Sequence, residues 1–481
     1  MRFAWVGVLL WAACERSPSP QSSAIFLAER LDDADKGAEA ASLSEFRSMP
    51  WTLDNETRLS VVTPLASRVS YSVSLPDDPV LKFAIALFPL GNPESTTWDT
   101  LRTAEFRVDV ESGGARETVF TAPVRRHEAG KWIDYTLDLG RFAGRTVRLE
   151  LESTPPSRFL RDPRHLRVAR EQYLALWGNP VLDSRNVPAA ATNVILISLD
   201  CVRADHIGVY GYPNAKTPNI DAFARDGVVF ETAITTAPST LPAHTSILTG
   251  LTPLLHEANT WRRRNPAVPY LPEVLSLLGF EVNGVVTGPY LSQTFGLEGG
   301  FHSYKFLFDP RASEAIDAAV EVLSRASGRR QFLFVHLFDA HAPYLAPREF
   351  LPRMGEVVDI SSLLERTAKE REPNEEDRRS LIALYDAEIA YVDSQVGRFL
   401  EELKSRALYD SSLIILTADH GEAFYEHGHR QHSRTLYEEM TLQHLKIEEL
   451  YSLAEDPGDG TTSSKRERTH ATNSASFSPT I

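Results

Sequence analysis

The stretch VILISLDCVRADH, residues 194–206, decides the fold of this chain. Val194–Leu199 is a nearly continuous apolar run, which is typical of a parallel strand that is buried on both faces. Asp200 follows the run directly, and an acidic side chain at the end of a buried strand can hold a metal ion. Because Asp is also common in turns, this stretch predicts a buried strand and leaves its chemistry open.

The same kind of pattern continues along the chain. Further apolar runs occur at 282–286, 332–337 and 413–416. Helical patterns separate these runs, at 219–226, 270–278, 312–327 and 377–405. Strands that alternate with helices predict an α/β domain with a mostly parallel central sheet. In such sheets ligands bind beyond the carboxyl ends of the strands, so we expect the chemistry there.

Residues 52–185 follow a different pattern of short alternating runs punctuated by Gly, Pro and Asp. This pattern predicts an all-β sandwich that precedes the α/β domain. Phe142–Leu151 and Ala175–Pro180 loosely resemble jelly-roll carbohydrate-binding modules. A sugar-binding role and a structural accessory role both remain open for this region.

Composition limits the class of protein. A chain of 481 residues is too long for one core, so two or three domains are expected. Its 42% hydrophobic and 24% charged residues exclude a wholly disordered chain and a membrane protein with several spans. A formal net charge of −15 argues against nucleic acid as a partner, since that needs a basic face.

The first residues, MRFAWVGVLLWAAC, predict an export signal, because one Arg precedes a short apolar run that ends in small residues. Leu10–Cys14 resembles a bacterial lipobox, in which the Cys is acylated. We therefore expect a signal and lipobox at 1–14 and a tether at 15–51. The expected location is the bacterial cell envelope, with membrane attachment by the N-terminal lipid only. Plain secretion and a misassigned start are the alternatives.

A second segment that carries chemistry is APSTLPAHTSILTG, residues 237–250. Pro242 suits the first turn of a helix. Thr240 then lies just before that turn, where free backbone N–H groups favour an anion. Taken alone, this segment is better explained by Thr240 or Ser239 acting only as a helix cap.

Two more segments follow apolar runs. Asp419 and His420, within LTADHGE at 416–422, offer a hard oxygen and an imidazole nitrogen at one point, a plausible pair of ligands for a divalent metal. The segment HLFDAHAPY, residues 336–344, contributes His341, and His432 follows later. His336 lies inside the apolar run and is predicted to be structural.

Together, the four segments resemble the sulfatase branch of the alkaline-phosphatase superfamily over residues 192–440. The resemblance implies a metal-dependent hydrolase of sulfate or phosphate esters, with a catalytic domain at 192–457. Counting back from Thr249-Gly250 places Thr240 where sulfatases carry the Cys that becomes formylglycine. An unmodified Thr there is similar to the branch with a Thr nucleophile, and it implies chemistry without formylglycine.

The resemblance also implies one divalent metal ion held by Asp200, Thr240, Asp419 and His420. Cys201 stands in place of a second Asp, and His420 stands where sulfatases often have Asn. Losing a carboxylate and gaining an imidazole shifts the expected preference from Ca²⁺ or Mg²⁺ towards Zn²⁺ or Mn²⁺. Cys201 could itself be a ligand, but a small buried residue is the simpler interpretation.

The remaining roles follow from the same resemblance. Thr240 would attack phosphorus or sulfur and form a covalent ester. His244, which replaces a family Arg, would hold the other oxygens or protonate the leaving group, as would His341 and His432. Arg203 would orient the site. The expected substrate is a sulfated or phosphorylated small molecule, glycan or lipid head group.

The C-terminal region motivates an alternative function. Leu450–Gly458 resembles the closing motif of sulfatases but arrives early, so we expect a shortened catalytic domain and a disordered tail at 458–481. An inactive or truncated sulfatase-like envelope binding protein is therefore the second hypothesis.

Overall fold

The computed structural model describes residues 24–38, 45–90, 101, 103–184, 193–259, 261–326, 329–351, 360–369, 373–443 and 446–447. The predicted signal and lipobox at 1–14, the closing motif at 450–458 and the predicted tail lie outside the described residues. They stay predictions, and so does the shortening of the catalytic domain.

Strands make up most of the first half of the described chain and the centre of the second half. In chain order they are β1 (Ile25–Phe26), β2 (Asp35–Ala38), β3 (Arg47–Leu53), β4 (Glu56–Pro64), β5 (Ser67–Ser74), β6 (Pro79–Pro89), β7 (Thr103–Ser112), β8 (Ala115–Arg125), β9 (Ile133–Asp138), β10 (Thr146–Thr154), β11 (Tyr173–Ser184), β12 (Asn193–Leu199), β13 (Val228–Val229), β14 (Ala233–Ile234), β15 (Glu281–Thr287), β16 (Ser303–Leu307), β17 (Gln331–Leu337), β18 (Ser412–Ala418), β19 (Ala423–Phe424), β20 (Arg430–Gln431), β21 (Leu442–Gln443) and β22 (Lys446–Ile447).

Helices lie mainly between the strands of the second half. They are α1 (Ser157–Leu160), α2 (Pro163–Gln172), α3 (Pro218–Arg225), α4 (Thr240–Thr249), α5 (Pro253–His256), α6 (Leu271–Leu277), α7 (Ala312–Arg325), α8 (Ile360–Lys369), α9 (Glu375–Ser405) and α10 (Glu438–Thr441). None of the described helices is long and apolar enough to cross a membrane.

The prediction of an α/β fold with a mostly parallel central sheet is confirmed. The predicted apolar runs form β12, β15, β17 and β18, and the strand order across them is β18-β12-β17-β15-β16 with parallel pairing throughout. The predicted helical patterns appear as α3, α6, α7 and α9. Leu199 lies beside Leu337 on one side and Ala418 on the other. The carboxyl ends of these three strands are therefore level, and the residues that follow them meet at one edge.

The central sheet does not stop at the α/β region. β16 pairs antiparallel with β4, and the sheet continues through β11, β6 and β9 into the region that precedes residue 193. A second sheet, in the order β2-β5-β10-β7-β8, shares one buried apolar cluster with these strands. Tyr71, Phe83, Phe106 and Trp177 belong to that cluster.

Part of the segment predicted as a tether packs onto the protein instead. Ile25 and Phe26 pair with Leu182 and Val181 of β11. Phe26 is buried, as is Leu27. Because burying an apolar side chain of this size contributes about 1.5–3 kcal/mol, the described residues 24–38 belong to the folded body. The boundaries predicted for the other regions stay predictions.

Candidate active site

The candidate site is built where β12 and β18 end. Asp200 directly follows β12, and its backbone N–H donates to the Leu337 carbonyl oxygen at 2.9 Å. Asp419 directly follows β18, and its Oδ1 accepts from the backbone N–H of His420 at 2.8 Å and of Cys201 at 3.3 Å. Asp200 and Asp419 are completely buried. The level strand ends thus fix two carboxylates side by side.

Thr240 brings a hydroxyl to the same point. It is the first residue of α4, and its Oγ1 donates to Asp200 Oδ2 at 3.5 Å. The same oxygen lies 3.3 Å from Nε2 of His420. The free N–H groups of the first helical turn favour negative charge here. The structure therefore brings together all four residues predicted to hold a metal.

The orientation of His420 suits a ligand. Its Nδ1 donates to the carbonyl oxygen of Gly421 at 3.0 Å, which leaves the lone pair on Nε2. Nε2 lies 3.3 Å from Asp419 Oδ2 and 3.8 Å from Asp200 Oδ1. Burial, with a smaller contribution from nearby His432, lowers the pKa of His420 to about 4. The imidazole is therefore neutral at pH 7, and metal binding requires the neutral form.

The buried oxygen atoms that lack a hydrogen-bond partner among the described residues include Asp200 Oδ1 and Asp419 Oδ2. An unpaired buried carboxylate oxygen is costly, so such atoms call for a partner. Burial and the charge of Asp200 raise the pKa of Asp419 to about 6. The two side chains with Thr240 Oγ1 and His420 Nε2 form an oxygen-rich donor set that fits a divalent cation.

His244 holds the start of α4 in place. Its Nδ1 donates to the carbonyl oxygen of Thr240 at 2.9 Å and lies 3.5 Å from Asp419 Oδ2. Its Nε2 accepts from the Ser198 hydroxyl at 2.9 Å. Burial lowers the pKa of His244 to about 4. With its two nitrogens engaged and the ring neutral, His244 positions Thr240 rather than presenting a free donor.

His341 and His432 lie on the open side of the site, where they are half-buried. Their rings are 4.9 Å apart. Nδ1 of His341 donates to the Ala342 carbonyl oxygen at 2.6 Å, and Nδ1 of His432 lies 3.3 Å from Glu422 Oε1. Burial lowers the pKa of His432, but the hydrogen bond and charge of Glu422 outweigh it, so the net shift is upward. These two histidines are predicted site residues that keep partial exposure to solvent.

Arg203 joins two loops of the site. It donates to Asp205 at 2.7 Å, to Glu426 at 2.6 Å and to the Glu422 carbonyl oxygen at 2.9 Å. Its guanidinium group is thus shared among groups of the protein itself. The orienting role of Arg203 stays a prediction.

The loop that carries His341 is clamped at two points. Arg311 donates to Asp339 Oδ1 at 3.3 Å and to the Leu345 carbonyl oxygen. Glu388 of α9 accepts from the Leu345 backbone N–H and lies 3.6 Å from Arg311. Burial, then the charge of Asp339, raises the pKa of Glu388 to about 8. Two buried carboxyl groups therefore share one guanidinium group.

Sequence reasoning missed the contact of His336 with the site. His336 lies in β17, with Nδ1 2.9 Å from the Thr287 hydroxyl and Nε2 3.5 Å from Asp200 Oδ2. The parallel register places His336 and Thr417 on either side of Ser198. These three polar residues are aligned across apolar strands, each one position before the end of its strand, and this pattern was a usable signal.

Comparisons with known proteins identify a family for the second half of the described chain. The sulfatase family model matches residues 192–445. Human iduronate 2-sulfatase is 26% identical over an alignment of 320 positions, and the match covers 50% of this chain and 57% of that protein. An arylsulfatase of Clostridium perfringens is 22% identical over an alignment of 317 positions, and the match covers 49% of this chain and 64% of that protein. The chain thus spans less than two thirds of the length of these relatives.

Solved structures that are similar to this chain include a putative sulfatase from Bacteroides thetaiotaomicron. It is 22% identical, the match covers 53% of this chain and 64% of that protein's chain, and the TM-score is 0.42.

One expectation is corrected by these comparisons. The prediction of chemistry without formylglycine is contradicted, because the matching relatives are formylglycine-dependent metalloenzymes. Those relatives use Ca, Mg or Mn, which include the predicted Mn²⁺ but not Zn²⁺. That prediction depended on too few positions, chiefly Thr240 and His420. The presence of a metal site itself fits the donor set described above.

Proposed function

Because the chain belongs to the sulfatase family, whose model matches residues 192–445, we propose that it is a metal-dependent hydrolase of sulfate or phosphate esters. One observation supports this most strongly. The Thr240 hydroxyl, two unpaired carboxylate oxygens and His420 Nε2 converge at the N-terminus of α4. A hydroxyl, an acidic pair and an imidazole in this arrangement can bind a cation and an anionic ester together.

Asp200, Asp419, His420 and Thr240 would hold the metal ion. A divalent cation bound there would lower the pKa of the Thr240 hydroxyl and polarise an ester oxygen. Ser198 and His244 keep Thr240 at the point where helix and strand ends meet, since His244 bonds to the Ser198 side chain and the Thr240 backbone.

Thr240 stands where counting back from Thr249-Gly250 places the formylglycine position of the matching relatives, and we propose its hydroxyl as the nucleophile of this chain. Its Oγ1 loses the hydroxyl proton and forms a bond to sulfur or phosphorus, while the bond to the leaving alcohol breaks and that oxygen takes up a proton. Water then cleaves the Thr240 ester and regenerates the hydroxyl. The free N–H groups at the start of α4 face the oxygens that carry the developing charge. His341 and His432, which are partly exposed beside Thr240, would face the outer oxygens of the ester.

Sulfate esters are the proposed substrate class, because the curated relatives carry the names iduronate 2-sulfatase and arylsulfatase. Phosphate esters remain the competing class, since the described donor set accepts either tetrahedral anion. Aryl sulfate, aryl phosphate and bis-aryl phosphodiester, tested at equal concentration with several divalent cations, separate the two. Turnover of none of them by metal-loaded protein would contradict the proposal and favour an inactive binding protein.

Export to the bacterial cell envelope as a lipoprotein is proposed from residues 1–14. Mass spectrometry of the mature N-terminus tests it, with acylated Cys14 expected and an unprocessed Met1 contradicting it.

A further inference from the structure

Exposed apolar side chains are concentrated in one stretch of the chain. Among the described residues fifteen large apolar side chains are exposed, and six of these lie between residues 254 and 278. Leu254 is 91% exposed, and Trp261 and Leu277 are each 89% exposed. Single exposed apolar side chains need no explanation, whereas a contiguous group of them marks a binding surface. We call this group the apolar patch: Leu254, Leu255, Trp261, Val274, Leu277 and Leu278.

The first half of the patch is a helical turn followed by a hairpin. Leu254 and Leu255 belong to α5. In the hairpin the backbone N–H of Asn259 donates to the carbonyl oxygen of Arg262 at 3.2 Å, and the reverse bond measures 3.1 Å. Trp261 lies between these two residues, and its own backbone N–H donates to Asn259 Oδ1 at 3.0 Å. The exposure of Trp261 is thus a property of an ordered loop.

An ion pair joins this hairpin to α6, which carries the second half of the patch. Arg264 is buried, and its Nη2 donates to Glu273 Oε1 at 2.7 Å. Leu277 follows Glu273 by four residues, so it lies one turn of about 5.4 Å further along the same face of the helix. Val274 and Leu278 have the same spacing on the adjoining face. The two halves of the patch are therefore neighbours on one surface.

The patch lies at the edge of the central sheet where the parallel strands begin. Leu278 lies shortly before β15, and Arg330, which directly precedes β17, donates to the Leu278 carbonyl oxygen at 3.1 Å. The Thr240 site lies at the opposite edge, where the strands end. A strand of seven residues such as β12 spans about 23 Å. The patch and the proposed nucleophile are therefore separated by roughly the height of the sheet.

The start of the described chain lies at the same edge as the patch. The Ala24 carbonyl oxygen accepts from Arg329 Nε at 3.1 Å, and the next residue is the Arg330 that bonds to Leu278. The chain from Cys14 to Ala24 can span at most about 35 Å when it is fully extended. A lipid on Cys14 would therefore hold a bilayer within that distance of Ala24, close to the edge that carries the patch.

Arginines border the patch, although the chain as a whole has a formal net charge of −15. Three of them follow Trp261 directly, at 262–264. The first and the third pair with Glu257 and Glu273, and Arg263 between them is exposed. Tryptophan is enriched where proteins meet the head groups of a bilayer, and long arginine side chains extend to the polar layer there. This composition suits a surface that lies against lipid head groups.

We propose that the apolar patch is a membrane-contacting surface whose leucines and Trp261 enter the head-group region of a lipid bilayer. The proposal takes the presence of a bilayer from the proposed lipid attachment and adds an orientation to it. With this edge of the sheet on the bilayer, the Thr240 site faces away from it, at a distance of about 20 Å. The substrate is then an ester in solution, such as a sulfated or phosphorylated glycan or small molecule, and not a lipid head group of the same membrane.

Hydrogen exchange read by mass spectrometry tests the patch in the full chain, with and without vesicles of phosphatidylethanolamine and phosphatidylglycerol. Peptides that cover 253–263 and 271–278 should exchange roughly tenfold more slowly with vesicles, because their amides are shielded from water. The peptide that contains Phe308 is the matched control. Phe308 is 72% exposed but follows β16 at the opposite edge, so its exchange should not change. Each peptide reports its own segment, so vesicle binding by residues 1–14 does not obscure the result.

Substitutions identify the side chains that make the contact. The triple variant Leu254→Ser, Trp261→Ser and Leu277→Ser should lose the protection of both peptides, whereas Phe308→Ser should retain it. All four side chains are exposed, so both variants should unfold at nearly the same urea concentration as the parent. Unchanged exchange at the patch in the presence of vesicles would overturn the proposal. Slow exchange there before vesicles are added would overturn it too, because another segment or a second copy would then cover the patch.

Turnover tests the orientation separately from the proposed function. The best aryl ester in solution should be cleaved equally fast with and without vesicles. Faster cleavage of a glycolipid that carries the same ester group in those vesicles would overturn the orientation. Absence of turnover of every ester would contradict the proposed function, and hydrogen exchange would still decide the membrane contact.

Discussion

The hydroxyl oxygen of Thr240 lies 3.3 Å from Nε2 of His420, although 179 residues separate them in the chain. The start of α4 supplies the first residue, and the loop after β18 supplies the second. This contact joins the proposed nucleophile to the metal ligands, and the tests of the site begin with it.

Two substitutions at Thr240 test the hydroxyl group separately from the rest of the residue. Thr240→Ala should lower kcat by about 10³–10⁶-fold, because removing a nucleophile leaves only binding and electrostatic effects. Thr240→Ser retains the hydroxyl and should lose only roughly 10–100-fold through poorer positioning. Steady-state kinetics and metal content check both variants. Equal activity in Thr240→Ala and the parent would remove Thr240 from the mechanism.

His244 is predicted to act through position. His244→Ala leaves the Thr240 carbonyl oxygen and the Ser198 hydroxyl without their partner, so the free energy of unfolding should fall by about 1–3 kcal/mol. The variant should show a larger change in kcat than in KM, because a shift of the start of α4 would displace Thr240. Urea denaturation and kinetics measure the two effects. Ser198→Ala, which removes one of the two bonds, is the control with a smaller loss.

The raised pKa of Glu388 predicts that the free energy of unfolding falls as pH rises. Its pKa rises on folding from the ordinary glutamate value of 4.5 to about 8, so the folded state binds its proton more tightly. That contribution to stability is fully present below about pH 4.5 and is lost as pH rises through 8. Between pH 6 and 9 the parent should lose on the order of 1–3 kcal/mol more than Glu388→Gln. Urea titrations at the two pH values measure this, and parallel losses in both proteins would refute it.

Gly421 has no room for a side chain. A Cβ at this position would stand 1.9 Å from the Glu439 carbonyl oxygen. Because that atom belongs to the backbone, Gly421→Ala should displace the loop after His420 and cost about 1–3 kcal/mol. Gly140→Ala, whose Cβ would meet only the Asp138 side chain, should change stability by less than about 0.5 kcal/mol. Similar unfolding midpoints for the two variants would contradict this account of the loop.

The sequence predicts the parallel core well. Strands that are buried on both faces appear as apolar runs, and the helices between them show the helical spacing of apolar residues. It also predicts that Asp200, Asp419 and His420 meet, since parallel strands end at one edge. The pairing of β16 with β4 was not predictable, because an antiparallel contact between segments about 250 residues apart has no local signal.

Other features depended on long-range contacts as well. The clamp of Arg311 and Glu388 joins residues 77 positions apart, and neither stands out in its own segment. His336 was interpreted as structural because it lies inside a strand, whereas its side chain reaches Asp200. The absence of formylglycine was wrongly predicted from the identity of single residues, which carry less weight than the family as a whole.

The most direct test of the central claim is rapid-quench mass spectrometry of the peptide that contains Thr240, during turnover of the best aryl ester. The account predicts one sulfuryl or phosphoryl group on Thr240 Oγ1, absent before substrate is added and absent in Thr240→Ala. An adduct on another residue would contradict this account. Turnover with no adduct on Thr240, under quench conditions that trap half of the enzyme as a covalent intermediate, would contradict it as well.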